Sequence, residues 1–143
     1  MTNAPIDKLQ EWSDQGHRTV QADTLVMLAA DNPDVVALSA DLTPTARLVE
    51  FKETYPDRFF DVGIAEQNLI DFTAGLALEG LPPYAVGLAA MVPMRPAEQM
   101  RAALGYMKAN ATIIGNEAGV RFWPLGNTHY AMDDIAVVRA IPN

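Results

Sequence analysis

The sequence predicts an α/β domain with a mostly parallel sheet and helices on both faces. Two observations predict it. Four short, largely apolar runs (35–38, 59–62, 84–88 and 111–114) alternate with stretches of helical length, the pattern of strands joined by crossover helices. The runs are short and apolar, as strands covered on both faces are. Such a sheet binds ligands outside the carboxyl ends of its strands.

Each element has a local reason. Residues 1–17 are polar and mixed and read as a loosely held leader, with Leu9 and Trp12, three apart, as the alternative anchor of a docked turn. Val20 to Ala30 reads as a helix with Leu25, Leu28 and Ala29 on one face, closed by Asn32-Pro33. Val35 to Leu38 is a strand that ends in SADLTPT, a hydroxyl-rich loop over 39–45. Arg47 to Tyr55 is helical and stops at Pro56. Phe59 to Val62 is the second strand. Asn68 to Leu78 is an apolar helix ended by Gly80. Tyr84 to Leu88 is the third strand, and Pro96 to Ala109 a helix with proline in its first turn. Ala111 to Ile114 is the fourth strand, 115–126 a long loop, and His129 to Ala140 a last helix with Ile135 and Val138 on one face.

Composition bounds the rest. At 143 residues, half of them hydrophobic, the chain makes one domain with an ample core. The formal net charge of −8 argues against nucleic acid and anionic membrane surfaces. Without cysteine there is neither a disulfide framework nor a thiolate metal site, which fits a cytoplasmic protein. The opening MTNAPIDKLQEW is too polar for a signal peptide, and no apolar run reaches membrane-spanning length. No phosphate-binding glycine motif, nucleophile elbow, histidine metal site or acid cluster for a magnesium diphosphate is present.

The informative stretch is RFFDVGIAEQ, 58–67. Glu66 falls at a strand-to-helix junction with no basic neighbour in sequence. A carboxylate there is either a helix cap or a chemical group. A carboxylate desolvated without a partner gains proton affinity. SADLTPT, GIAEQ, residues 88–94 and the loop beginning Gly115-Asn116-Glu117 all follow strand ends. The predicted fold therefore gathers them along one edge of the sheet.

SADLTPT (39–45), RFFDVGIAEQN (58–68), AGLALEG (74–80) and THYAMDDIAVVRAIPN (128–143), in this register, resemble the transketolase family of thiamine-diphosphate enzymes. GIAEQ also occurs in deoxyxylulose-phosphate synthases; SADLTP and RAIPN lean toward transketolase. The resemblance covers residues 18–143 and corresponds to the family's pyrimidine-binding domain, in the form seen in transketolases split into two subunits. It implies that Glu66 hydrogen-bonds a ring nitrogen of the coenzyme's aminopyrimidine and favours the imino tautomer that deprotonates the thiazolium carbon. It also implies that Asp41 lines the thiazolium side, and that Leu88, Met91 and Met94 stand where family aromatics stack on the pyrimidine. Arg18 and Thr45 match positions that hold sugar phosphate, and His129, beside Thr128, matches a histidine that contacts substrate oxygens. Without the resemblance, these residues read as turn acid, core, solvated arginine and helix-cap histidine.

Two departures stand out. Glu117 replaces a family histidine that helps bind substrate phosphate, and Trp123-Pro124-Leu125-Gly126 replaces a Gly-Glu-Asp-Gly run whose aspartate reads a donor hydroxyl. A carboxylate repels phosphate, and Leu125 accepts no hydrogen bond, so the expected substrate is not a standard pentose phosphate. The family domain also continues beyond IPN, which leaves this one incomplete at its C-terminal end. The diphosphate and its Mg²⁺ are expected on a partner chain, the missing C-terminal part is expected either to have been cut from this sequence or to come from a further chain, and activity is expected only in the hetero-oligomer. The alternatives are a non-catalytic scaffold subunit of such a complex and a decarboxylating thiamine-diphosphate synthase.

Overall fold

A computed structural model describes residues 6–142 of the chain. The first five residues of the expected leader lie outside the described residues. The rest of it is a helix, α1 (Ile6–Gln15). Its stability is local: Gln10 donates to Asp14 and Gln15 to Glu11, at 3.1 and 3.2 Å, and the Lys8 ammonium lies 5.2 Å from the Trp12 ring centre. These are pairs at helical spacing within a polar composition. Gly16, at φ 82°, ends α1 and turns the chain into α2 (His17–Asp31), which begins earlier than expected.

The remaining elements are β1 (Val36–Ser39), α3 (Val49–Thr54), β2 (Phe59–Asp61), α4 (Glu66–Leu78), β3 (Pro83–Leu88), α5 (Ala97–Met100), β4 (Thr112–Asn116) and α6 (Asp134–Arg139). The four strands pair in the order β2-β1-β3-β4, all parallel. Alternate residues feed opposite faces. Ala37 and Val86 pack with Leu25, Ala29 and Phe51 from α2 and α3. Val36, Leu38 and Ala85 pack with Leu69 from α4. The sheet is thus covered on both faces, as predicted.

Helix ends follow local chemistry. Arg58 donates to the carbonyls of Ala29 and Asn32, at 3.0 and 3.2 Å, placing a cation on the negative end of α2. α4 ends where Gly80, at φ 92°, lets Leu81 N–H reach the Leu76 carbonyl and Gly80 N–H the Ala77 carbonyl, with Leu76 and Leu81 joining the same core cluster.

Three expectations are corrected. Helix 96–109 is α-helical only over Ala97–Met100 and continues as π-helix over Arg101–Tyr106, where Gly105 lets Ile141 and Pro142 approach closely. The last helix is shorter than expected, Asp134–Arg139, because Gly119 and Ala131 exchange two backbone hydrogen bonds that draw the preceding residues out of helical geometry. Its Ile135 and Val138 are exposed. On α2, Leu25 and Ala29 are buried but Leu28 is 38% exposed. Leu25→Ala is therefore expected to cost about 2–5 kcal/mol and Leu28→Ala about 1 kcal/mol or less, read by urea unfolding.

Candidate functional site

Because every strand runs the same way, the loops after Ser39, Asp61, Leu88 and Asn116 meet at one edge. β1 and β3 are neighbours from which the chain winds in opposite directions, the point where such sheets open a crevice. A cleft of about 250 Å³ lies there, lined by Asp41 after β1, Ile64 and Glu66 after β2, Leu88, Met91 and Arg95 at and after β3, and His129.

Glu66 is the first residue of α4 and is 3% exposed. It is not a cap: position N-cap is Ala65, with no side-chain hydrogen bond. Its Oε1 instead accepts from Arg95 Nη1 at 2.7 Å. Sequence reasoning found Glu66 but not its partner, which is 29 residues away and carries no local signal. The guanidinium gives this carboxylate a partner in a place water hardly reaches, where an unpaired charge would be costly.

The cleft gathers Asp41, Glu66, Leu88, Met91 and His129 as the sequence led one to expect. Met94 is 42% exposed and does not line it. His129 sits in a short 3₁₀ turn, not at a helix start, with Thr128 Oγ1 3.0 Å from its Nδ1 and its ring edge-on to Phe122.

Arg18 and Glu117 line a second, smaller cleft of about 90 Å³ together with His17, Arg47 and Arg121; Thr45 does not line it and joins the cluster only through its backbone carbonyl. Arg18 Nη1 donates to the Thr45 carbonyl at 2.9 Å, and its Nε lies 2.7 Å from Glu117 Oε1. Arg121 Nε is 3.3 Å from Oε2 and His17 Nε2 is 3.4 Å from Oε1. His17, Arg47 and Arg121 were not singled out from the sequence; they look like ordinary surface charges until the loop after β4 folds back on α2. Asn116 Nδ2, donating to Gln21 Oε1 at 2.9 Å, makes that join.

Asp61, also missed, ties the loops together. Its carboxylate accepts from Asp41 N–H at 2.8 Å, Thr43 Oγ1 at 2.8 Å and Gly63 N–H at 3.1 Å. Burial pushes its pKa up, but the Asp41 N–H, the Thr43 hydroxyl, the Gly63 N–H and the Lys52 charge outweigh burial and hold it below the usual carboxylate value. A separate apolar groove of about 410 Å³, lined by Val92, Leu104, Ile113, Ile135 and Val138 among others, contains none of the sequence-predicted site residues. Among the described residues, no three His, Cys, Asp or Glu side chains come together as a metal site, and no helix is long and apolar enough to cross a membrane.

The topology and this edge define a parallel α/β domain with a cleft at its strand ends. Residues 15–143 match the family model described as transketolase, pyrimidine binding domain, and the chain belongs to that family. It is 38% identical over 120 residues to an apulose-4-phosphate transketolase subunit of Phocaeicola vulgatus, covering 84% of this chain and 38% of that protein. It is 39% identical over 127 residues to the 1-deoxy-D-xylulose-5-phosphate synthase of Desulfotalea psychrophila, covering 89% of this chain and 19% of that one. Among solved structures, it superposes with a TM-score of 0.74 and 36% identity on a split gene transketolase described as an inactive beta4 tetramer, covering 88% of this chain and 40% of that chain. The chain therefore spans about two fifths or less of the length of these relatives.

Asp61→Asn tests the loop tie. A carboxylate whose folded pKa is lowered stabilises the fold above its unfolded pKa, and that contribution is lost as pH falls through the folded one. The wild-type chain is expected to melt above the variant at neutral pH, with the gap closing as the pH drops through and below the usual carboxylate range.

Proposed function

We propose that the chain is the pyrimidine-side subunit of a thiamine-diphosphate-dependent transketolase-like enzyme that transfers a two-carbon ketol unit from a ketose to an aldehyde acceptor. The observation that carries this is Glu66, a buried carboxylate at the strand-end crevice of a family domain. The residues fit the aminopyrimidine end of the coenzyme: one buried acid to meet a ring nitrogen, Leu88 and Met91 as apolar walls, and Asp41 and His129 at the rim. When bound, the coenzyme supplies a nucleophilic carbon that carries the ketol unit.

Glu66 shares a proton with the ring nitrogen, and Arg95 fixes the carboxylate so that its free oxygen is the one presented. Leu88 and Met91 exclude water, and Met91 adapts its shape where an aromatic ring would stack. Met94, which does not line the cleft, is given no part in this wall. His129 holds substrate oxygens, its tautomer coupled to Thr128. Arg18, Thr45 and Glu117 form the substrate subsite. The diphosphate and Mg²⁺ belong to a partner subunit, in keeping with a relative that is itself named as one subunit of a transketolase. The assembly works in the cytoplasm.

A second reading, a decarboxylating synthase on the same coenzyme, is favoured by the 39% identity to a deoxyxylulose-phosphate synthase. A scaffold role is opposed by the retained Glu66 and His129. Glu66→Ala in the reconstituted complex decides between enzyme and scaffold. Turnover is expected to fall by about 10²–10⁴ with assembly intact; unchanged turnover contradicts the catalytic role.

Glu117 and Leu125 also shape substrate choice. The reconstituted enzyme is expected to turn over xylulose 5-phosphate with ribose 5-phosphate poorly in a coupled steady-state assay. Ordinary transketolase rates with that pair would refute this.

A further inference from the structure

Glu117 is the one acid lining a pocket that also holds Arg18, Arg47, Arg121 and His17, and it is buried. Its side chain is 1% exposed, whereas those of Arg18, His17 and Arg121 around it are 28, 57 and 69% exposed. The backbone turns it inward at φ 62°, a conformation a glutamate rarely adopts. Such a placement carries a cost, and the fold has another join at this point: Asn116 already fastens the end of β4 to α2 through Gln21. What the strained backbone achieves is to set one carboxylate 2.7 to 3.4 Å from three basic groups. That is the arrangement of a bound anion, except that this anion belongs to the chain.

We infer that Glu117 is a tethered anion that fills the chain's own arginine pocket, so that the pocket takes an uncharged, hydroxyl-bearing end of a substrate and not a phosphate or sulfonate. An entering phosphate meets a fixed negative charge and finds Arg18 and Arg121 already engaged. A hydroxyl meets no such repulsion. Oε1 of Glu117 is itself buried and lies 2.7 Å from Arg18 Nε, so the carboxylate stays against the chain's own cation and leaves the rim of the pocket to the entering group. The tethered anion stands on the geometry alone; the substrate class rests on the proposed reading of this cluster as a substrate subsite.

Inorganic phosphate titrated calorimetrically into the full chain tests the tether. Glu117→Gln keeps the side-chain size, and Glu117→Gly suits the positive φ, so at least one variant retains the fold, checked by its melting curve. Phosphate is expected to bind the variants at least about tenfold more tightly than wild type, and Arg18→Met added to Glu117→Gln is expected to abolish the gain. Equal affinity in wild type and both variants overturns the inference, as does a gain that survives loss of Arg18. In the reconstituted enzyme, wild type is expected to prefer an unphosphorylated aldose acceptor and Glu117→Gln its phosphorylated counterpart. A wild-type preference for the phosphorylated acceptor overturns the substrate class while leaving the phosphate titration standing. Failure of the coenzyme reading is seen separately, as thiamine diphosphate binding, followed by tryptophan fluorescence, that is unaffected by Glu66→Ala.

Discussion

One ion pair governs the edge of this sheet. Arg95 reaches back from the segment after β3 to place a guanidinium nitrogen 2.7 Å from the carboxylate that opens α4. Without it, a charge 4% exposed in its side chain would stand uncompensated in the crevice. With it, the acid is paired, aimed and still adjacent to open space, because Arg95 itself is 45% exposed. The same contact stitches the loop after β3 to the helix after β2, so the geometry of the cleft depends on it.

The pattern repeats along the edge. Asp61 gathers the loops after β1 and β2 through three hydrogen bonds, and Glu117 gathers α2 and the loop after β4 through three basic groups. Each strand-end loop is thus fixed by a carboxylate or by its partner. In a chain of net charge −8, four of the seven arginines, Arg18, Arg47, Arg95 and Arg121, line the two clefts. The two clefts differ in character: the one at the β1–β3 crevice has apolar walls and one buried acid, the other sets three arginines and a histidine around one carboxylate.

Much of this was legible beforehand. Parallel strands force their carboxyl ends together, so the alternation of short apolar runs with helical stretches was enough to assemble Asp41, Glu66 and Leu88 from loops far apart in sequence, whereas His129 was named only through the family resemblance. What was not legible depends on tertiary reach. Arg95 follows Met94 with nothing to mark it as the partner of an acid in another element. Arg121 and His17 acquire meaning only when the loop after β4 packs on α2. Polar α1 hid its helix because its support comes from side-chain pairs four apart, not from an apolar face. The π-helical run at 101–106 and the shortened α6 arise from contacts with the chain's own C-terminal residues and from the Gly119–Ala131 bridge, which no local pattern encodes.

The central claim is that the acid at the head of α4 meets the coenzyme ring. A structure of the chain assembled with a diphosphate-binding partner and thiamine diphosphate tests it most directly. A Glu66 carboxyl oxygen is expected within hydrogen-bond reach, about 2.6–3.0 Å, of an aminopyrimidine ring nitrogen, with the ring against Leu88 and Met91. A carboxyl that faces bulk water, with the ring bound elsewhere, would contradict it.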